Sequence, residues 1–321
     1  DGQKIAIGKD FDKETGKLSK SNLLALDKTQ AESLTESFLN SNWKVAKVEQ
    51  KPAKQNPYPP FITSTLQQEG VRKLRMSSQQ VMRSAQKLYE EGYITYMRTD
   101  SVSLSSEAIN GSRNAIKSLF GAEYLPETPP IYKNKVKNAQ EAHEAIRPAG
   151  ATFKNPKDIQ GELDGQEWKL YDMIWKRTLA SQMKSAKLLK TNVEISDGKA
   201  MFDAHGKVIE FPGFLKVYVE DIDDPKKERD DKESILPPMQ EGESVMGKDF
   251  TPNQHFTKPS PRFTEATLIK ELEALGIGRP STYAAIMGNI QNRGYARKVN
   301  GALIPTFTAY AVIQFLESNF T

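Results

Sequence analysis

The sequence predicts a multidomain α+β protein, in which a mostly helical domain is inserted into a β-rich domain and is followed by a partial helical domain. Residues 43–49 and 191–195 alternate apolar and polar side chains, as half-buried strands do. Between them, apolar residues recur every three or four positions, as in amphipathic helices. The predicted domains are residues 1–57 with 186–255 (β-rich), 58–185 (helical) and 256–321 (partial helical).

The β-rich domain is expected to contain one helix and several short strands. Residues 28–40 carry their apolar side chains on one helical face, and the proline-rich residues 56–60 mark a boundary. After the helical domain, residues 191–195 and 215–219 read as strands. The charged residues 221–233 have little to bury, so we expect a mobile surface loop there.

Three amphipathic helices are predicted in the helical domain. Ser77 or Ser78 is a suitable N-cap for a helix that runs to Glu91, and Gly92 fits the position after its end. The apolar positions of that helix predict an inner stripe of Val81, Ala85, Leu88 and Tyr89. The other two helices are expected to start near Ser105 and to span residues 167–179.

The last domain is predicted to hold two helices and a hairpin. Thr264 caps a helix that ends at Gly276, and Ser281 caps a second helix that ends at Gly294. Residues 300–301 are Asn-Gly, a strong hairpin turn. This order fits a helix-turn-helix with a wing, which is a DNA-binding unit, and it fits an ordinary helical hairpin equally well.

Composition limits the class of protein. The mean hydropathy is −0.61, and no apolar run approaches the roughly 20 residues that span a bilayer. Cysteine is absent, which excludes disulfides and cysteine-bound zinc, so the cytoplasm is the simplest location. The net charge of +4 does not by itself indicate nucleic-acid binding. Because the chain opens on Asp1 and its final apolar pattern has no stop signal, we expect a fragment of a longer protein.

Tyr96, Arg98 and Asp100 lie within five residues, directly after a predicted helix. A tyrosine hydroxyl can attack a phosphorus atom, and a nearby cation can stabilise the charge that builds up on the phosphate. On a strand, positions 96 and 98 would point the same way and reach one phosphate. The same spacing is common on an ordinary sheet face, so the spacing alone leaves both interpretations open.

Four stretches, in this order, resemble signature segments of bacterial type IA DNA topoisomerases, and together they extend the resemblance over essentially the whole chain. They are residues 60–68, residues 86–101, residues 139–148, and residues 262–266 with 276–283. The resemblance implies an isomerase that cleaves and religates single DNA strands through a 5′-phosphotyrosine intermediate and so relaxes negative supercoils. A phenolate is a fair leaving group, so resealing needs no ATP.

The resemblance also implies roles for single residues. Tyr96 would be the nucleophile, Arg98 would stabilise the phosphate, and His143 would hydrogen-bond near the same phosphate. Arg147 follows His143 by four residues, so a helix would place both on one face. The candidate DNA-binding residues are Gln86, Glu90, Thr99, Asp100, Arg147, Arg262, Arg279, Ser281, Thr282 and Arg293. The plainer interpretation of these histidine and arginine side chains is a packed imidazole and solvated charges.

The family's architecture is a ring, in which the tyrosine-bearing helical domain closes against a magnesium-binding (TOPRIM) domain and a β-rich arch acts as the hinge. Flexure would occur near residues 56–60 and 181–188. No Asp-x-Asp cluster in a suitable setting is found here, so the resemblance implies that the Mg²⁺ site of the full-length enzyme lies outside this chain. The implied partners are single-stranded or underwound DNA and the missing N-terminal domain, with no membrane. The isolated fragment is then expected to be inactive in relaxation. The alternatives are a non-catalytic single-stranded DNA-binding module on the same scaffold and a structural adaptor.

Overall fold

A computed structural model describes residues 3–12, 14–133, 144–219 and 234–320. The chain forms two compact units, which we call the β-rich unit and the helical unit. The β-rich unit comprises Asp1–Ala53, Leu188–Glu210 and Lys232–Pro261, and the helical unit comprises Lys54–Lys187, Phe211–Asp231 and Arg262–Thr321. The predicted α+β multidomain class is confirmed, whereas the division into three domains stays a prediction.

The β-rich unit is built on a four-stranded sheet in the order β5-β4-β3-β6. The elements of this part of the fold are β1 (Lys4–Ile5), β2 (Leu23–Leu24), α1 (Lys28–Phe38), β3 (Trp43–Gln55), β4 (Ala186–Ser196), β5 (Met201–Phe211) and β6 (Ser244–Val245). Trp43 is 3% exposed, and its ring packs against those of Phe38, Phe202 and Phe250 at centroid distances of 5.1–5.7 Å. This aromatic cluster holds α1 against the sheet.

Two strand predictions differ from the structure. The strand predicted at residues 43–49 continues through Pro52 to the end of β3, so the proline does not end it. Residues 215–219 are not a strand, because the chain turns through a short 3₁₀ helix at Gly213–Lys216. Phe214 and Tyr218 are both buried and lie four residues apart, a spacing that suits a helical turn. Residues 221–233 lie outside the described residues.

The helical unit opens with four helices. They are α2 (Thr63–Leu74), α3 (Ser78–Glu90), α4 (Ser106–Leu119) and α5 (Gly165–Ser181). Ser77 caps α3 by accepting a hydrogen bond from the amide of Gln80, and Gly92 has a φ of +77° just beyond the helix, so both predictions are confirmed. The helices α2, α3, α4 and α5 pack around a fully buried apolar core that includes Leu66, Val81, Leu88, Ile116 and Ile174.

The C-terminal part of the helical unit confirms the predicted order of two helices and a hairpin. Its elements are α6 (Glu265–Ala274), α7 (Tyr283–Asn292), β7 (Ala296–Val299), β8 (Ala302–Pro305) and α8 (Phe307–Asn319). Thr264 caps α6, and Asn300 and Gly301 form the turn with φ angles of +50° and +83°. The predicted Ser281 cap is wrong: Thr282 holds the N-cap position of α7, and its hydroxyl bonds to the backbone of Arg279.

Within this unit, α6 packs against α2 and α7 packs against α3. Ile269, Tyr283, Met287 and Leu303 form the small buried cluster of the C-terminal part. Among the residues that the structure describes, no helix is both long and apolar enough to cross a bilayer.

Candidate active site

The segment that joins α3 to α4 carries Tyr96 and Arg98, and it is not the predicted strand. Only Ile94 forms a bridge, which pairs it with Pro148. Ile94 and Met97 are both buried, and this three-residue spacing of inward side chains breaks the alternation that a strand requires. Tyr96 is half-buried and Arg98 is exposed. Strand periodicity therefore gives no reason for these two side chains to point the same way.

The backbone around Arg98 is held by the first residue of α2. The Thr63 hydroxyl lies 2.8 Å from the carbonyl oxygen of Met97 and 3.0 Å from that of Thr99. It also accepts a hydrogen bond from the amide of Thr99 at 2.8 Å, and the Thr63 amide donates to the Thr99 carbonyl at 2.9 Å. Residues 97–99 are thus fixed on both sides of an exposed arginine.

The signature segment of residues 139–148 lies beside the segment of residues 86–101. The Thr95 amide donates to the Arg147 carbonyl at 2.9 Å, and the Thr95 hydroxyl donates to the Ala145 carbonyl at 2.8 Å. The Ala149 amide donates to the Tyr93 carbonyl at 2.9 Å. Hydrogen bonds therefore bring together two motifs that are about fifty residues apart along the chain.

The side chain of Arg147 is buried and forms its hydrogen bonds within the protein. Arg147 as a whole is 7% exposed, and its guanidinium forms an ion pair with the Glu144 carboxylate at an N–O distance of 2.6 Å. The remaining hydrogen bonds of the guanidinium reach the carbonyls of Pro148 and Gly150 and the hydroxyl of Ser105. A helix is predicted to place Arg147 on the same face as residue 143. Residues 144–148 are not helical, so that helix is absent from the described part of this segment.

His143 itself lies outside the described residues, and its predicted role stays a prediction. The neighbouring Glu144 carboxylate accepts a hydrogen bond from the Ser105 amide at 2.7 Å. Burial opposes ionisation of Glu144, but the hydrogen bonds from Ser105 and the charge of Arg147 outweigh it and hold the pKa of this carboxyl below its ordinary value. A charged pair thus anchors this segment to the start of α4.

The last turns of α3 border Tyr96. The rings of Tyr89 and Tyr96 meet edge to face at a centroid distance of 5.2 Å. Tyr89 is 41% exposed, so its predicted place in the buried stripe of α3 is wrong. The Gln86 amide donates to the Glu90 carboxylate at 2.5 Å, and Glu90 is exposed. Two predicted DNA contacts therefore lie on the helix face that also carries the ring neighbour of Tyr96.

The helix α6, which joins the two parts of the last signature segment, also contacts α2. The Ser64 hydroxyl donates to the Glu273 carboxylate at 2.7 Å, one residue after Thr63. Burial raises the pKa of Tyr283; the carboxylates of Glu273 and Asp100 raise it further, while Arg279 lowers it. The first turn of α2 therefore contacts both the signature segment of residues 86–101 and α6.

The remaining candidates separate by exposure. Arg262, Arg279, Ser281, Thr282 and Arg293 are exposed on the C-terminal part. The Arg279 guanidinium donates to the carbonyl of Gly278 at 2.7 Å and stays exposed. Thr99 is 2% exposed, and its hydroxyl accepts a hydrogen bond from the Ser101 amide, so its side chain shapes the segment from within.

No group of three or more acidic or histidine side chains that could hold a metal ion occurs in the part of the chain that the structure describes. The described donors near Tyr96 therefore do not by themselves fit the Mg²⁺ ion that the resemblance implies. What these residues offer is a phenol at the surface, an exposed guanidinium two positions away, and a backbone fixed around both. That combination can bind and attack a phosphodiester.

Comparison with known proteins agrees with this chemistry. The family model described as DNA topoisomerase matches residues 4–321. The chain therefore belongs to the bacterial type IA DNA topoisomerase family.

Individual relatives support the same assignment. The chain is 50% identical to a DNA topoisomerase 1 from Streptomyces coelicolor and 49% identical to one from Mycolicibacterium smegmatis. Both alignments cover 100% of this chain, and it spans 34% and 35% of the lengths of those relatives. A full-length topoisomerase I structure from Thermotoga maritima matches with a TM-score of 0.78 at 37% identity, covering 94% of this chain and 48% of that one.

Proposed function

We propose that this chain is the tyrosine-bearing part of a type IA DNA topoisomerase. In this proposal Tyr96 attacks a phosphodiester of a single DNA strand, the bond from phosphorus to the 3′ oxygen breaks, and the 3′ oxygen takes up a proton. The 5′ phosphate stays on the tyrosine as an ester. The observation that carries the proposal is the half-buried Tyr96 beside the exposed Arg98, on a segment pinned by α2 and by residues 144–149.

The energetics suit a reversible cut. The phosphotyrosine ester keeps the energy of the broken diester, so attack by the 3′ hydroxyl reseals the strand without ATP. Between the two steps another strand passes and negative supercoils relax. Arg98 holds the negative charge that grows on the phosphate oxygens in both directions. Removal of one such charge-stabilising group typically costs about 10²–10³ in rate.

DNA follows the exposed cations in this proposal. Gln86 and Glu90 on α3 and Arg262, Arg279 and Arg293 on the C-terminal part contact the strand. The further contacts of this proposal come from Asp100, His143, Ser281 and Thr282, whereas the buried Arg147 and Thr99 support the site from inside the protein. Each arginine that touches a phosphate adds a salt-dependent contribution to binding. Since the substrate is bacterial DNA, the place of action is the cytoplasm.

The Mg²⁺-binding function belongs in this proposal to a domain outside the chain, because the described donors do not fit the ion. The β-rich residues 1–57 and 186–255 act as the arch and hinge, residues 58–185 carry the tyrosine, and residues 256–321 form a partial DNA-binding domain. The isolated chain then fails to relax supercoiled plasmid, while the complete gene product relaxes it with Mg²⁺. Robust relaxation by the isolated chain would contradict this part of the proposal.

The nucleophile is tested by the substitution Tyr96→Phe in the complete gene product. Single-stranded DNA labelled on the 3′ side of the cut and quenched with denaturant gives a covalent protein–DNA adduct in the wild type and none in Tyr96→Phe. The matched control is Tyr93→Phe, which removes the hydroxyl that donates to Glu162 at 2.7 Å and leaves adduct formation within about 3-fold.

The alternative is a non-catalytic single-stranded DNA-binding module on the same scaffold. It predicts DNA binding in both variants and no adduct in either, nor in the wild type. An adduct that persists in Tyr96→Phe would refute the assigned nucleophile.

A further inference from the structure

Thr63 is completely buried, and in the described part of the chain its hydroxyl forms hydrogen bonds with backbone groups and with no side chain. All of its hydrogen bonds go to the backbone of Met97 and Thr99, the two residues that flank Arg98. The Thr63 amide adds a further bond to the Thr99 carbonyl. One residue therefore fixes the path of the chain immediately before and after an exposed arginine.

We propose that Thr63 is a positioning residue for Arg98. The inference rests on the proposed function, in which the guanidinium meets the phosphate that Tyr96 attacks. Since the peptide groups on both sides of Arg98 are held, the direction of its Cα–Cβ bond is set before DNA arrives. Preorganisation of this kind raises the rate of a reaction because the charged group needs no rearrangement in the transition state.

The local geometry explains why a hydroxyl is needed at this position. Residues 97–99 are irregular, so their amide and carbonyl groups find no partners in a helix or a sheet ladder. A hydroxyl both donates and accepts, and here it accepts from the Thr99 amide while it lies within donor distance of two carbonyls. Valine has the same shape but would leave these buried groups unpaired, whereas serine keeps the hydroxyl.

The adjacent residue links this arrangement to the C-terminal part. Ser64 donates to Glu273 of α6, and it follows Thr63 in the first turn of α2. The contact between α2 and α6 therefore fixes the helix end from which Thr63 acts. This gives the positioning residue a rigid base instead of a free loop.

The experiment compares Thr63→Val with Thr63→Ser in the complete gene product. We expect Thr63→Val to slow adduct formation on single-stranded DNA by about 10- to 100-fold, the size of effect that a displacement near 1 Å produces. DNA affinity changes less than about 3-fold, because the exposed cations remain. Thr63→Ser stays within about 3-fold of the wild-type rate. The matched control is Thr178→Val, which removes another fully buried hydroxyl, one that bonds only within α5.

A double variant separates positioning from general loss of stability. If Thr63 acts through Arg98, Thr63→Val slows an Arg98→Ala protein by less than about 2-fold, because the group that it positions is already gone. Rates are compared at a temperature at which every variant is folded, as thermal unfolding shows.

Three results would overturn the inference. The first is an unchanged rate of adduct formation in Thr63→Val, and the second is an equal loss of rate in Thr178→Val. The third is a double variant in which Thr63→Val slows the Arg98→Ala protein as much as it slows the wild type. Failure of the proposed function looks different, since either the wild type would then form no adduct or Tyr96→Phe would still form it.

Discussion

Replacement of Arg147 tests whether this residue acts inside the protein or on DNA. The side chain is 8% exposed, and it pairs with the Glu144 carboxylate, which is 29% exposed. Arg147→Met keeps much of the side-chain volume but removes every donor of the guanidinium. Breaking a buried pair by removing one partner costs about 3–5 kcal/mol. Since Glu144 still reaches water, we expect the lower end, about 3 kcal/mol of unfolding free energy.

Urea denaturation of the chain measures this loss. With a slope of about 1–3 kcal/mol per molar urea, the midpoint falls by about 1 M or more. The pKa of Glu144 is lowered in the folded protein, so the stabilisation by its charge is present at neutral pH and is lost as the pH falls through the folded value. The difference between wild type and Arg147→Met is therefore largest above about pH 5 and narrows below about pH 4.

The matched variant is Arg293→Met, which removes an exposed arginine of the C-terminal part. We expect its stability to stay within about 0.5 kcal/mol of wild type. Its binding to single-stranded DNA should lose about 0.7 from the slope of log affinity against log salt, as for one phosphate contact. Arg147→Met should leave that slope unchanged. A lowered slope without a loss of stability in Arg147→Met would refute the internal role and favour the predicted DNA contact.

Two further predictions concern the packing of the helical unit. Glu265 is 2% exposed, and its carboxylate accepts two hydrogen bonds from Ser78, which lower its pKa despite its burial. Glu265→Gln should therefore reduce the free energy of unfolding by about 2 kcal/mol at pH 7 and by less below about pH 4. Denaturation curves at the two pH values measure the difference. No pH dependence of that difference would contradict it. A Cβ on Gly111 would lie 2.3 Å from the Ala151 carbonyl oxygen, so Gly111→Ala should lower the midpoint of thermal unfolding, while Gly165→Ala, with open space, should not. Equal midpoints would refute the clash.

Features set by neighbouring residues could be predicted from the sequence. The caps at Ser77 and Thr264 depend on side chains three residues from the amides that they bind, and both are confirmed. The Asn300–Gly301 turn is equally local, since it needs two residues that tolerate positive φ. Such features appear in the order of the residues because nothing distant decides them.

Features decided by distant contacts could not be predicted. Residues 93–98 look like a strand by alternation, but the hydroxyls of Thr63 and Thr95 replace the missing sheet partners. No periodicity of the sequence reports hydrogen bonds that span 34 to 52 residues.

The candidate site shows the same division. The signature segments named Tyr96 and Arg98, and the family is confirmed. The positioning role that we propose for Thr63 could not be predicted from the sequence, because threonine at the start of a helix is usually only a cap. Thr63 nevertheless lies within the signature segment of residues 60–68. The one signal was its place in a signature segment that carried no assigned chemistry.

The exposure of Arg98 has a consequence for how the protein meets an anion. Arg98 is exposed, so a phosphate that binds its guanidinium displaces water from it. With the main chain already immobilised, capture of a phosphate restricts only the side-chain torsions, at roughly 2 kcal/mol for a long cationic side chain. Competing salt ions reach the same group as easily, so the binding of a phosphate by this guanidinium should weaken steeply as ionic strength rises.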